Sequence, residues 1–139
     1  MNKLNKKTEY ALMALKYFDD ISSQPDSFNK LVSAKDLAEK THAPFEVIAR
    51  VLQALSSRGV LRAEYGVSGG YQLVKNLSDV SVFDLINILE SSNDLAKCLS
   101  SDEACDLSSK CTIITPVTLL NNKVQNFYKS ISLAEVLHV

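Results

Sequence analysis

A mainly helical chain with one small β-hairpin is what these residues predict, and three observations carry that expectation. Apolar residues recur every three or four positions in several separate stretches, the period of an amphipathic helix. Two of those stretches are short and lie one turn apart, around Thr41-His-Ala. Directly after them, two segments alternate apolar and polar side chains on either side of Gly66-Val-Ser-Gly69-Gly70, as the arms of a hairpin do.

The first helix is expected from Thr8 to about Ser22, on Tyr10, Ala11, Met13, Ala14, Tyr17, Phe18 and Ile21. Pro25 and Asp26 break the chain after it, in a loop running to Ser27. Ser33 opens the second helix with Asp36 three residues on, an approximate capping box, and Ala34, Leu37 and Ala38 as its apolar positions. His42 is a turn residue. Pro44 stands where a first-turn proline is tolerated, and the third helix runs to about Ser57 before Gly59 stops it. Its inner stripe is Val47, Ile48, Val51, Leu52 and Leu55, which turns Glu46, Ala49, Arg50 and Gln53 outward.

Two short helices so joined make a helix-turn-helix, whose second helix commonly enters the major groove of DNA. The strands Val60 to Tyr65 and Tyr71 to Lys75 add a wing, giving a winged helix-turn-helix. No helix follows the glycines to supply the anion-binding N-terminus of a phosphate cradle. Ser81 caps a fourth helix, with Asp84 three residues on and Val82, Leu85, Ile86 and Leu89 inside. From about Thr112 to Ser130 a long helix repeats Ile113, Val117, Leu120, Val124, Phe127 and Tyr128. A helix this apolar after a polar loop needs a partner surface. The chain's own core is one candidate and a second subunit the expected one, which makes Leu120, Val124, Phe127 and Tyr128 the expected dimerisation residues. Ser132 and Glu135 cap a short last helix. The expected organisation is residues 1–77 as a winged helix-turn-helix with its N-terminal helix, and 78–139 as a cysteine loop with dimerisation helices, in one compact domain.

Length suits one domain with an adequate core. Charge is uneven: through Asn76 there are 11 Lys/Arg against 8 Asp/Glu, and from Leu77 onward 4 against 8. A mildly basic front and an acidic back fit a nucleic-acid-binding half joined to something else. No apolar run follows the basic start, and nothing approaches the roughly 18 apolar residues of a membrane span. A cytoplasmic protein is expected, with reduced thiols. There is no Ser/His/Asp arrangement, metal-ligating His pair or phosphate loop, so an enzyme is not expected.

All three cysteines, Cys98, Cys105 and Cys111, fall within 14 positions. Between them only Leu99 and Leu107 are large and apolar, so the segment cannot bury enough surface to hold its own conformation. An odd number of cysteines argues against a disulfide framework. Three thiolates on one short loop can close around a metal or an iron–sulfur cluster. The plain alternative is a surface loop with incidental cysteines.

Thr8-Glu-Tyr-Ala-Leu-Met-Ala-Leu15, Asp36-Leu-Ala-Glu39, Gly69-Gly-Tyr-Gln-Leu73, the cysteine triad and Ile131-Ser-Leu-Ala-Glu-Val-Leu137 together resemble the IscR/NsrR-type (Rrf-two) winged-helix regulators. The resemblance covers essentially the whole chain. It implies a homodimer with crossed long helices, and winged helices on a two-fold double-stranded DNA operator. It also implies an iron–sulfur cluster ([4Fe-4S] or [2Fe-2S]) that controls operator binding by a transcriptional regulator, in function a repressor, sensing nitric oxide, redox state or iron/cluster status. The triad is most similar to the nitric-oxide-sensing NsrR branch, which implies Cys98, Cys105, Cys111 and Glu9 of the partner subunit as ligands. Against this, an acidic residue near a helix N-terminus is favourable for dipole reasons alone. IscR-type members place a histidine where this chain has Ile114, which cannot ligate. The family's wing arginine is Tyr65 here, and a common recognition-helix glutamate is Ala49.

Candidate DNA contacts are Ser33 and Lys35 on phosphate, Glu46, Arg50 and Gln53 in the groove, and Arg58, Arg62 and Tyr65 near the wing. Each is otherwise a solvated surface side chain. Two other functions stay open: a regulator of the same fold that binds no cluster and senses by thiol oxidation, and a zinc-stabilised interaction module without DNA binding.

Overall fold

A computed structural model describes residues 4–26, 30–90, 94–100, 105–107 and 109–139. Ser27 of the expected first loop, and Ser101 to Ala104 and Ser108 of the cysteine segment, lie outside them. The first helix, α1 (Lys6–Ser22), starts two residues before the apolar period does, because the Asn5 side chain caps it by accepting from the Lys7 N–H at 3.0 Å. Its inner face is Ala11, Ala14, Leu15, Phe18 and Ile21. Met13, expected inside, is exposed, and Tyr10 and Tyr17 are half-buried. Leucine and methionine alternate too closely here for spacing alone to choose between them, and the neighbours take Leu15.

α2 (Ala34–Thr41) is capped by Ser33, whose Oγ accepts from the Asp36 N–H at 3.1 Å. His42 closes it in the left-handed region at φ 55°, the turn role expected of it. α3 (Phe45–Ser57) then presents Ile48, Val51, Leu52 and Leu55 to the core. Gly59, at φ 78°, ends it, and the Val60 N–H turns back to the Leu55 carbonyl. The hairpin pairs β1 (Leu61–Glu64) with β2 (Gly70–Leu73) in the register Leu61↔Leu73 to Glu64↔Gly70. A side chain at Gly69 would run into the Glu64 carbonyl oxygen, so the tip accepts only glycine there.

Two stitches were not expected. Val32, entering α2, exchanges both backbone hydrogen bonds with Tyr71 at 2.9 and 2.8 Å, so the wing is tied to the helix-turn-helix. Farther on come a 3-10 turn (Leu77–Asp79), α4 (Val82–Leu89) with a full Ser81/Asp84 capping box, and a short α5 (Lys97–Ser100) inside the cysteine segment. α6 (Ile114–Lys129) and α7 (Leu133–Leu137) follow. Ser81 bridges Ser132, with the Leu133 N–H donating to the Val80 carbonyl at 2.8 Å. That bridge folds the end of the chain back, so Leu133 and Ala134 join one core cluster with Leu15, Leu37, Leu52 and Leu85. The ring of His138 hydrogen-bonds the Asp19 carboxylate of α1 at 2.7 Å. Among the described residues no helix is long and apolar enough to cross a membrane.

Candidate nucleic-acid interface and cysteine site

The face of α3 away from the core carries Glu46, Arg50 and Gln53, all exposed. It can do so because the helix spends every third and fourth position on Ile48, Val51, Leu52 and Leu55. Lys35 stands exposed on α2, and Ser33 is half-buried with its oxygen committed to the helix cap. Lys35, Ala38, Glu39, Ala43 and Phe45 surround a shallow apolar hollow of about 500 Å³ between α2 and the start of α3. Phe45 is 53% exposed there. Its large ring lies outside the inner stripe, so periodicity passes it over.

Arg58 is exposed where α3 ends. Arg62 is engaged within the hairpin: its guanidinium donates to Gln72 Oε1 at 2.7 Å and pairs with Glu64 Oε1 at 3.4 Å. Register explains this, since Gln72 lies directly opposite Arg62. Tyr65 is almost wholly exposed at the tip, with Val67 beyond it. The phenol of Tyr71 is held above its usual range by burial, and secondarily by Tyr65.

Cys98, Cys105 and Cys111 are free thiols, the first two exposed and the third half-buried. All three line one pocket of about 340 Å³ at the foot of α6, walled by Leu107, Ile113 and Val117. Thiolates are the ligands that iron–sulfur clusters use, so the donor chemistry fits such a group. Among the described residues, however, no three His, Cys, Asp or Glu side chains stand where they can hold one metal ion together. The pocket gathers the thiols without converging them. The segment's entry is held by α6: Asp94 Oδ1 accepts from Asn121 Nδ2 at 2.9 Å and from Gln125 Nε2 at 2.6 Å.

Glu9 sits in the first turn of α1, half-buried and paired with Lys6 at 2.9 Å. That hydrogen bond, with the Glu9 charge behind it, raises the Lys6 ammonium above its usual range. The neighbouring Thr8 is buried and donates to Glu90 Oε1 at 3.2 Å, at the end of α4. On α6, Leu120 and Phe127 are exposed while Val124 and Tyr128 are half-buried. Phe127 and Tyr128 rings are 6.2 Å apart.

A family model described as "Rrf2: Iron-dependent Transcriptional regulator" matches residues 4–139. The chain belongs to the Rrf2 family. It is a DNA-binding transcriptional regulator rather than an enzyme. An HTH-type transcriptional regulator of Aquifex aeolicus is 25% identical over 132 residues, 94% of this chain and 88% of that protein. The HTH-type transcriptional regulator IscR of Serratia proteamaculans is 25% identical over 136 residues, 98% and 79% of the two chains. Solved structures share the fold: CymR, the global cysteine regulator of B. subtilis, has a TM-score of 0.69 at 17% identity, covering 99% of this chain and 98% of that one. IscR of T. potens has a TM-score of 0.65 at 21% identity, covering 99% and 87%.

For this Rrf2 regulator, Arg50→Ala is expected to weaken operator binding by about 1–3 kcal/mol if Arg50 reads a base. Titration of operator and random DNA by fluorescence anisotropy checks it. An equal loss on both sequences would make Arg50 a phosphate contact.

Proposed function

We propose that this Rrf2 regulator binds a two-fold operator as a homodimer, with binding controlled by an iron–sulfur cluster held on Cys98, Cys105 and Cys111. The observation that carries the reading is the gathering of the chain's three thiols around one pocket at the foot of α6. The fourth ligand in this reading is Glu9 of the partner subunit. Lys6 holds Glu9 Oε2 at 2.9 Å, so ligation through that oxygen competes with an existing ion pair, whereas Oε1 is not engaged by it. A carboxylate is a harder donor than a thiolate and holds iron less firmly, which suits a site that nitric oxide or oxygen attacks.

Each residue has a separable task. Ser33 and Lys35 take phosphate, setting affinity and its salt dependence, and Arg58 stands near the wing. Glu46, Arg50 and Gln53 face the major groove and set sequence. Tyr65 takes the wing contact, while Arg62 braces the wing through Gln72 and Glu64 and reaches phosphate only by leaving them. Closing the three thiols on one group orders the polar segment beside α6, and opening them loosens it. Recognition helices of a dimer must sit about 34 Å or a multiple apart, so a small rotation between subunits changes operator affinity and makes the protein a repressor that lets go.

The test is protein purified without oxygen, with absorption, iron and acid-labile sulfide measured together. Visible absorption bleached by nitric oxide, with iron and sulfide present, supports the reading. In Cys105→Ala all three signals should vanish, and colour at full intensity would remove Cys105 as a ligand. The exposure of Cys98 and Cys105 favours one other reading, direct thiol oxidation, which would give a colourless, iron-free protein in the same measurement and retained DNA binding in an anisotropy titration.

A further inference from the structure

α6 is nearly bare of buried side chains, and the one it buries is polar. Asn121 is 5% exposed, whereas Leu119, Leu120 and Phe127 on the same helix are each more than half exposed. Both polar atoms of its amide are partnered: Nδ2–H donates to Asp94 Oδ1 at 2.9 Å, and Oδ1 accepts from the Leu95 backbone N–H at 2.9 Å. Gln125, one helical turn on, donates to the same Asp94 oxygen at 2.6 Å. A buried amide is retained only where every bond is made, because leaving it unpaired costs more than the bonds return. So this cluster specifies a position rather than merely filling space.

The position it specifies is the start of the cysteine segment. Asp94 is four residues before Cys98, and Ala96 and Leu99 are already joined across that span by the Leu99 N–H donating to the Ala96 carbonyl at 3.1 Å. On the other side, Glu90 at the end of α4 accepts from Thr8 of α1, one residue before Glu9. The polar segment, which has too little apolar surface to order itself, is therefore docked at its entry to α6 through Asp94 and Leu95, while Thr8 ties the end of α4 to α1.

The geometry assigns Asp94, gripped by Asn121 and Gln125, as the positioning residue of the cysteine segment. It sets where Cys98 begins relative to α6, and carries a displacement of the segment into that helix. Asn121 and Gln125 lie roughly 100° around α6 from the centre of its apolar seam, so the grip and the seam occupy different faces and one helix can serve both. This inference rests on the cluster reading for its consequence but not for its geometry.

The experiment is hydrogen exchange on the full chain without metal, comparing wild type, Gln125→Ala, Asp94→Ala and Asp94→Asn, followed by cobalt(II) titration of the same proteins. Asp94→Ala should speed exchange across Leu95–Leu99 about tenfold, the order expected for losing one to two hydrogen bonds, while α3 keeps its protection. Gln125→Ala should show a smaller change in the same place. Asp94→Asn retains the accepting oxygen and should restore protection. Thiolate–cobalt absorption should need several-fold more metal in Asp94→Ala than in wild type or Asp94→Asn. Unchanged exchange at Leu95–Leu99 in Asp94→Ala, or loss spread evenly over the chain, would overturn the assignment. If wild type forms no cluster yet exchange follows the expected order, the cluster reading falls and the positioning role stands.

Discussion

Substituting Leu120→Lys and Phe127→Lys together is expected to hold the protein as a monomer at micromolar concentration. Ile113, Val117, Leu120, Val124 and Phe127 are spaced alternately by four and three, a heptad seam within an arc of roughly 80° at about 100° per residue. In the protomer the largest side chains of that seam are uncovered, Ile113 at 59%, Leu120 at 55% and Phe127 at 61% exposed, with Val117 and Val124 half-buried between them. A row of large apolar side chains left in water on one helix marks an interaction surface. Burying the exposed half of one Leu or Phe is worth about 0.8–1.5 kcal/mol, so the four side chains of a symmetric pair supply about 3–6 kcal/mol. Losing them, with lysines brought face to face, should raise the dimer Kd by a factor on the order of a hundred to ten thousand. Sedimentation velocity checks it. A doubly substituted protein that still sediments as a dimer would move the interface off this seam. The fold should survive, since neither side chain is needed by the core.

Leu52→Ala carries the other large effect, and it falls on stability. Leu52 is fully buried in α3, in the cluster that also holds Leu15, Ile48 and Leu55. α3 touches α1, α2, β1 and α4, so no single neighbour can shift to fill the gap. Truncating such a leucine costs about 2–5 kcal/mol, a large share of the roughly 5–15 kcal/mol typical of a whole domain. For a chain of this length the melting temperature should fall by about 10 °C or more, read by circular dichroism at fixed protein concentration. The adjacent Gln53→Ala, on the exposed face, should move it by less than about 2 °C. Comparable losses at both positions would mean that α3 is not seated as described.

How much of this is legible in the sequence depends on how local each feature is. Asn121 illustrates the limit. In the sequence it is one polar residue inside an otherwise apolar helix, and nothing in its spacing marks it as the buried one. Its partner Asp94 is 27 positions away, and only packing brings the two together. Arg62 is similar: its charge suggests phosphate, but hairpin register places Gln72 across from it and Glu64 beside it. In α1 the period admits both Met13 and Leu15, and the packing neighbours bury Leu15 and leave Met13 exposed.

The residues by themselves determined the longer helices, the serine caps at Ser33, Ser81 and Ser132, the hairpin and the one segment that holds every cysteine, but not the Asn5 cap or the short α5. Those features depend on neighbours three or four positions away, on a serine oxygen meeting a nearby N–H, or on glycines at a tip. Tertiary structure alone decided that Val32 joins the wing, that Ser132 returns beside Ser81, and that the three thiols line one pocket below α6. It also decided which amide of α6 grips the cysteine segment. Backbone bridges carry no side-chain signature, and a buried polar bond between distant residues exists only once the surrounding apolar surfaces have closed around it.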